Sequence, residues 1–154
     1  VPFSHLVASY QAALKNVDAT IEIIKRTEHA NVVVEDAPII AEELKFIDQW
    51  LEKWAPEEVK FKLSENFDES MFNDTEKSYF SELADKIQNA PIDADGEWFH
   101  KAIYEFKESK GMEPKQLFIS LYRLLISKDS GPRAGWFLSL LPRDWLINRL
   151  KLDK

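Results

Sequence analysis

The chain has 154 residues, of which 45% are hydrophobic and 31% charged, enough for a sizeable core and ordinary for a soluble globular domain. It has no cysteine, which excludes disulfides, thiolate metal sites and a cysteine nucleophile, and its four glycines and seven prolines favour helices over a turn-rich β-sandwich. The formal charge is −7, but residues 1–100 hold 9 Lys and Arg against 21 Asp and Glu, and residues 101–154 hold 11 against 6.

An acidic body with a basic end suits local phosphate binding, because charges are screened beyond about 8 Å at physiological salt; a solvated helical surface has the same composition. The apolar stretches are shorter than the ~20 residues that cross a bilayer. No charged-then-apolar leader opens the chain. It begins at Val1-Pro2-Phe3 without an initiator Met, and the expectation is a cytoplasmic fragment with no membrane partner.

Phe3, Leu6, Val7, Tyr10, Ala13 and Leu14 recur at helical spacing and predict a first helix over residues 2–15. Asn16 is placed to end it or to cap a second helix over 17–26. Val32, Val33 and Val34 form a β-branched run too short for a strand. Asp36 and Pro38 predict a helix start, with a capping carboxylate and a first-turn proline. Ile40, Leu44, Ile47, Leu51 and Trp54 then repeat every three or four residues until Pro56. Trp50 and Trp54, one turn apart, are expected to pack together in the core.

Val59, Phe61 and Leu63 alternate with lysines, which predicts a short extended piece over a core. Asn73 or Asp74 caps a helix reaching about Gln88, with Phe72, Tyr79, Phe80, Leu83 and Ile87 buried. Asn89 to Gly96 reads as a linker, and the charge changes sign there. The expected division is therefore an acidic helical scaffold over 1–90 and a basic subdomain over 91–154. In the latter, Asp95 caps a helix closed by Gly111, Pro114 opens another, and short helices follow over 136–141 and 142–150. The whole is read as all-α, a multi-helix bundle of about eight helices without substantial sheet.

No catalytic constellation is visible. His5, His29 and His100 are scattered, no metal-ligand spacing occurs, and the glycines at 96, 111, 131 and 135 form no phosphate loop. The expectation is no catalytic residue, no metal and no activity. What stands out is residues 128–137, Lys-Asp-Ser-Gly-Pro-Arg-Ala-Gly-Trp-Phe. Gly131 and Pro132 predict a tight turn, and Gly135 a close backbone approach. Arg133 stands near a helix start, where backbone N–H groups favour anions. Trp136 and Phe137 supply flat rings. Unstacked RNA bases settle on aromatic or guanidinium planes while phosphates take Lys and Arg. The same residues would equally suit core anchoring by the two rings and an intrachain ion pair at Arg133.

The stretch from Gln116 to Leu138, then Leu140-Leu141 and residues 144–150, resembles the C-terminal end of class I lysyl-tRNA synthetases. Gly131-Pro-Arg-Ala-Gly-Trp-Phe137 is its most specific part. Trp50-Leu-Glu-Lys-Trp-Ala-Pro-Glu-Glu-Val-Lys-Phe61 and Gly96-Glu-Trp-Phe-His-Lys-Ala-Ile-Tyr-Glu105 look like the same family, so the likeness covers about residues 50–150. Glutamyl-tRNA synthetases carry a similar Gly-Pro turn, but the Arg-x-Gly-Trp-Phe continuation looks more lysyl-like.

The resemblance implies an α-helix cage that reads the anticodon loop of lysine tRNA. It implies a parent enzyme that attaches lysine to tRNA at the expense of ATP, in a catalytic domain whose motifs do not occur here. ATP and lysine are then expected to bind elsewhere, with no cofactor in this chain. The expected partners are lysine tRNA and the rest of the synthetase, and no DNA. On the matched motif, Lys128 and Arg133 are read as phosphate or base contacts and Trp136 and Phe137 as stacking platforms, with Arg123, Arg143, Trp145 and Arg149 as further candidates. The alternative readings are a helical protein-interaction module and the equivalent region of a glutamyl-tRNA synthetase.

Overall fold

A computed structural model describes residues 1–153. Among them the chain is helical, with no strand, and it divides into two compact units, Val1–Leu63 and Ser64–Lys154. The packing boundary and the charge boundary therefore do not coincide. Asn89 to Asp95, where the charge changes sign, joins two helices inside the second unit.

The first unit holds α1 (Phe3–Ala12), α2 (Val17–Lys25) and α3 (Ala30–Lys53). Helix α1 stops short of the predicted end because Leu14 and Lys15 are left-handed, with φ of 52° and 61°. Asn16 caps α2, its side chain accepting the Ala19 N–H at 2.8 Å. Helix α3 begins six residues before the predicted start, so the three valines are helical and Pro38 lies inside the helix. The tertiary reason is Val33, fully buried in the cluster formed by Leu6, Tyr10, Ile24, Ile40, Leu44, Ile47 and Leu51. An added helical turn and a buried valine, the latter worth roughly 1.5–3 kcal/mol, offset the N–H that proline lacks.

The two tryptophans do not pack together. Trp50 is half-buried, edge-on to Phe3 with ring centroids 5.1 Å apart, whereas Trp54 is 75% exposed. After a single 3-10 turn over Glu57–Val59, Phe61 and Leu63 pack inward without forming a strand. The buried Gln11 side chain holds this segment, donating to Val59 O at 2.9 Å and accepting the Phe61 N–H at 2.8 Å.

The second unit opens with a 3-10 turn at Glu69–Met71 and continues through α4 (Asp74–Gln88), α5 (Gly96–Tyr104), α6 (Phe106–Ser109), α7 (Pro114–Ile126), α8 (Ala134–Leu140) and α9 (Arg143–Leu150). Asn73 and Glu76 close a full capping box on α4, and Asp95 caps α5 through the Trp98 N–H at 2.9 Å. Glu105 interrupts the helix predicted to run to Gly111, leaving α6 as a single turn. Tyr79, Phe80, Leu83, Ile103, Leu117, Leu121, Leu124 and Phe137 are sealed in the core. Helix α4 packs on α9 and α5 on α8.

Candidate nucleic-acid interface

The connection from α7 to α8 holds the segment singled out in the sequence, residues 128–137. Helix α7 ends on Ser127 in the left-handed conformation (φ 56°), and its hydroxyl hydrogen-bonds Ser64 Oγ at 2.6 Å. The chain then turns through Gly131-Pro132, pinned from behind by Tyr122, whose hydroxyl donates to Pro132 O at 2.6 Å. Burial raises the Tyr122 phenol above its ordinary pKa, so the donor keeps its proton. A β-carbon on Gly131 would stand 2.8 Å from Ile126 Cδ1 and 3.2 Å from the Tyr122 ring. The turn thus needs a glycine for space rather than for left-handed φ.

Arg133 follows immediately, as the residue before α8. Its side chain is exposed and makes no ion pair or hydrogen bond among the described residues. Trp136, one turn along, is half-buried.

The remaining candidates divide by what already occupies them. Arg123 Nε donates to Asp129 Oδ1 at 2.6 Å, and that hydrogen bond lowers the Asp129 pKa and raises that of Arg123. Both partners are solvated, and exposed pairs are weak enough for a competing anion to displace. Lys128 is half-buried and engaged within the chain. Arg143 donates to Ala90 O and Pro91 O, the latter at 2.9 Å, and so ties the residue 89–95 connection to α9.

Two candidates are corrected by their burial. Phe137 is 0% exposed and presents no ring face to a base; it is a core anchor. Arg149 is 7% exposed. Its guanidinium donates to Leu124 O at 3.5 Å and Glu65 O at 3.2 Å and lies 5.1 Å from the Phe67 ring and 5.0 Å from the Trp145 ring. Desolvation lowers its pKa. It is a structural arginine that uses its donors inside the unit, and half-buried Trp145 serves as its platform.

Beside this connection lies a groove that no sequence pattern foretold. It encloses about 440 Å³ and is lined by Phe67, Met71, Phe72, Arg123, Ser127 and Asp129, together with Asn66 and Asp68. Its lining combines aromatic and apolar side chains with a guanidinium, two carboxylates and an amide. Small planar ligands are held in this way, in concavities of roughly 300–1,000 Å³ with a few placed polar groups. The signals that could have revealed it, Phe67 and Met71, fall in a charged, irregular stretch with no periodicity.

The chain matches the anticodon binding domain model over residues 6–152. It belongs to the anticodon-binding domain family. Its curated relatives include lysine–tRNA ligases. That of Archaeoglobus fulgidus is 30% identical over 98% of this chain and 30% of its own length. That of Methanosphaera stadtmanae is 28% identical over 99% and 30%, and that of Picrophilus torridus 32% over 97% and 28%. The chain therefore spans about 30% of the length of these relatives. The resemblance read from residues 50–150 extends in the family match to residues 6–152, so it includes the N-terminal helices.

Proposed function

We propose that this anticodon-binding domain binds the anticodon loop of lysine tRNA as part of a lysine–tRNA ligase, supplying recognition while the chemistry resides outside this chain. The observation that carries the reading is the family match over residues 6–152, with lysine–tRNA ligases as the relatives. The α7–α8 connection supports it. Arg133 is an exposed cation with no ion-pair or hydrogen-bond partner among the described residues. The adjacent groove offers base-sized space with donors and acceptors in its lining. Arg133 is assigned to a phosphate or base, Arg123 to a nucleotide that displaces Asp129, and Trp136 to a partial stacking surface.

The second partner is the rest of the synthetase. Val32, Ile39 and Phe46 recur every seven residues along α3 and are 41%, 59% and 64% exposed. An aligned apolar stripe on a long helix suits a protein neighbour better than water.

The deciding experiment is a titration of the chain with lysine tRNA and with the same tRNA carrying a different anticodon. Tighter binding of the native loop, weakening steeply as salt rises, is the expected result. Equal affinity for both at low salt would overturn the reading.

A further inference from the structure

His5 lies on α1, whereas Glu28 and His29 lie in the connection from α2 to α3. Folding of the first unit brings these three side chains together, although His5 and His29 are separated by 24 positions and form no recognisable ligand spacing. His5 Nδ1 stands 3.1 Å from His29 Nε2, and His29 Nε2 stands 3.6 Å from a Glu28 carboxylate oxygen. One donor atom from each residue falls within 4.8 Å of the other two. We infer that His5, Glu28 and His29 form a binding site for a divalent first-row metal ion, with zinc as the ion it suits best.

The donor set carries the argument. Two imidazole nitrogens this close either share one proton or point both lone pairs at one cation. Nitrogens bound about 2.0–2.1 Å from a tetrahedral zinc stand about 3.3 Å apart, close to the separation of His5 and His29. Glu28 is 78% exposed at its side chain, so its carboxylate can swing towards the two imidazole nitrogens without disturbing packing. His29 is held in place by its backbone, whose N–H donates to Thr27 Oγ1 at 3.2 Å, while Thr27 Oγ1 donates to Ile24 O at 2.6 Å.

Metal binds the neutral imidazole, so occupancy of the site should fall as the solution is acidified. Two nitrogens and one carboxylate oxygen suit zinc rather than calcium or magnesium, which take oxygen ligands. Three protein ligands leave a fourth position for water. The bound ion would staple α1 to the α2–α3 connection and stabilise the fold, because only the folded chain assembles the site.

The test requires no RNA. The chelator-treated 154-residue chain is titrated with zinc by calorimetry and with cobalt by visible absorption, and thermal unfolding is followed with and without zinc. The expected results are one ion per chain, cobalt bands of low-coordinate N/O ligation, and a rise in Tm with zinc. His5→Gln and His29→Gln should each weaken affinity at least about tenfold, since loss of a mere supporting partner already costs 10–100-fold. His100→Gln should change nothing. Absence of binding at a large molar excess of zinc would overturn the site, as would undiminished binding in the double histidine variant. Should the histidine variants misfold by circular dichroism, Glu28→Gln decides, being exposed and structurally harmless. Weakened binding supports the site, and an unchanged Kd overturns it.

Discussion

Gly135 on α8 lies so close to the Gly96 carbonyl of α5 that a β-carbon there would stand 2.4 Å from that oxygen, and 2.8 Å from His100 Cβ. The reciprocal approach is nearly as tight, since a β-carbon on Gly96 would meet Trp136 Cα at 3.1 Å. This crossing lets α8 carry Phe137 into the core while Arg133 and Trp136 stay at the surface.

Gly135→Ala should therefore destabilise the second unit even though alanine is the better helix former by about 1 kcal/mol. The colliding atom is backbone and cannot rotate away, so a net loss of about 1–3 kcal/mol is expected. Gly131→Ala should cost less, about 1 kcal/mol, because its nearest neighbour is the end of the flexible Ile126 side chain. Denaturant unfolding of the two variants side by side measures the difference, and equal losses would count against the crossing.

Arg133 and Arg149 should separate binding from folding. Arg133→Ala is expected to lower tRNA affinity by about 1–3 kcal/mol with unchanged thermal stability. Arg149→Ala leaves the Leu124 and Glu65 carbonyls without their donor and should destabilise by about 1–3 kcal/mol. Its effect on tRNA affinity should follow only from the fraction unfolded. A pair of melts and a pair of binding curves suffices, and a reversed pattern would relocate the interface.

Alkaline unfolding should couple to the buried tyrosines. Desolvation raises the phenol pKa of Tyr79 well above 10 and also raises those of Tyr122 and Tyr10. A raised folded pKa means stability is intact below pH 10, the unfolded value, and is lost as pH climbs towards the folded values. The phenolate absorbance of these three buried tyrosines, as distinct from that of exposed Tyr104, should accordingly appear together with loss of helical circular dichroism. Tyr79→Phe removes the most deeply buried of these phenols and should move that transition to higher pH. The same variant loses the bond to Leu117 O, 3.1 Å long, at a neutral-pH cost of about 0.5–1.5 kcal/mol. Ionisation of more than one tyrosine well before unfolding would contradict the burial.

Phe46→Glu on the outer stripe of α3 should leave the stability of the isolated chain within about 0.5 kcal/mol of the parent. In the proposed full-length ligase it should weaken attachment of this domain, read as increased proteolytic release. A large loss of stability in the isolated chain would show instead that the stripe belongs to the domain's own packing.

The local signals of this fold were legible residue by residue. Asn16, Asn73, Asp95 and Pro114 mark four helix starts, and the apolar spacing marks most of the core. Capping and 3.6-residue periodicity act over a few positions, so one stretch of chain contains everything needed to read them.

Tertiary packing decided the rest. Whether a ring or a guanidinium faces solvent depends on which distant helix covers it. Trp136 and Phe137, adjacent in sequence, take opposite fates at the Gly96–Gly135 crossing. Arg149, one cation of a basic end, is claimed by carbonyls 25 and 84 positions away. Val33 draws three β-branched residues and a proline into α3 against their local preference. His5 and His29 meet only because the helices of the first unit fold back on one another. Each outcome is a balance of burial and hydrogen bonding between separated segments, and no short window of residues contains both sides of it.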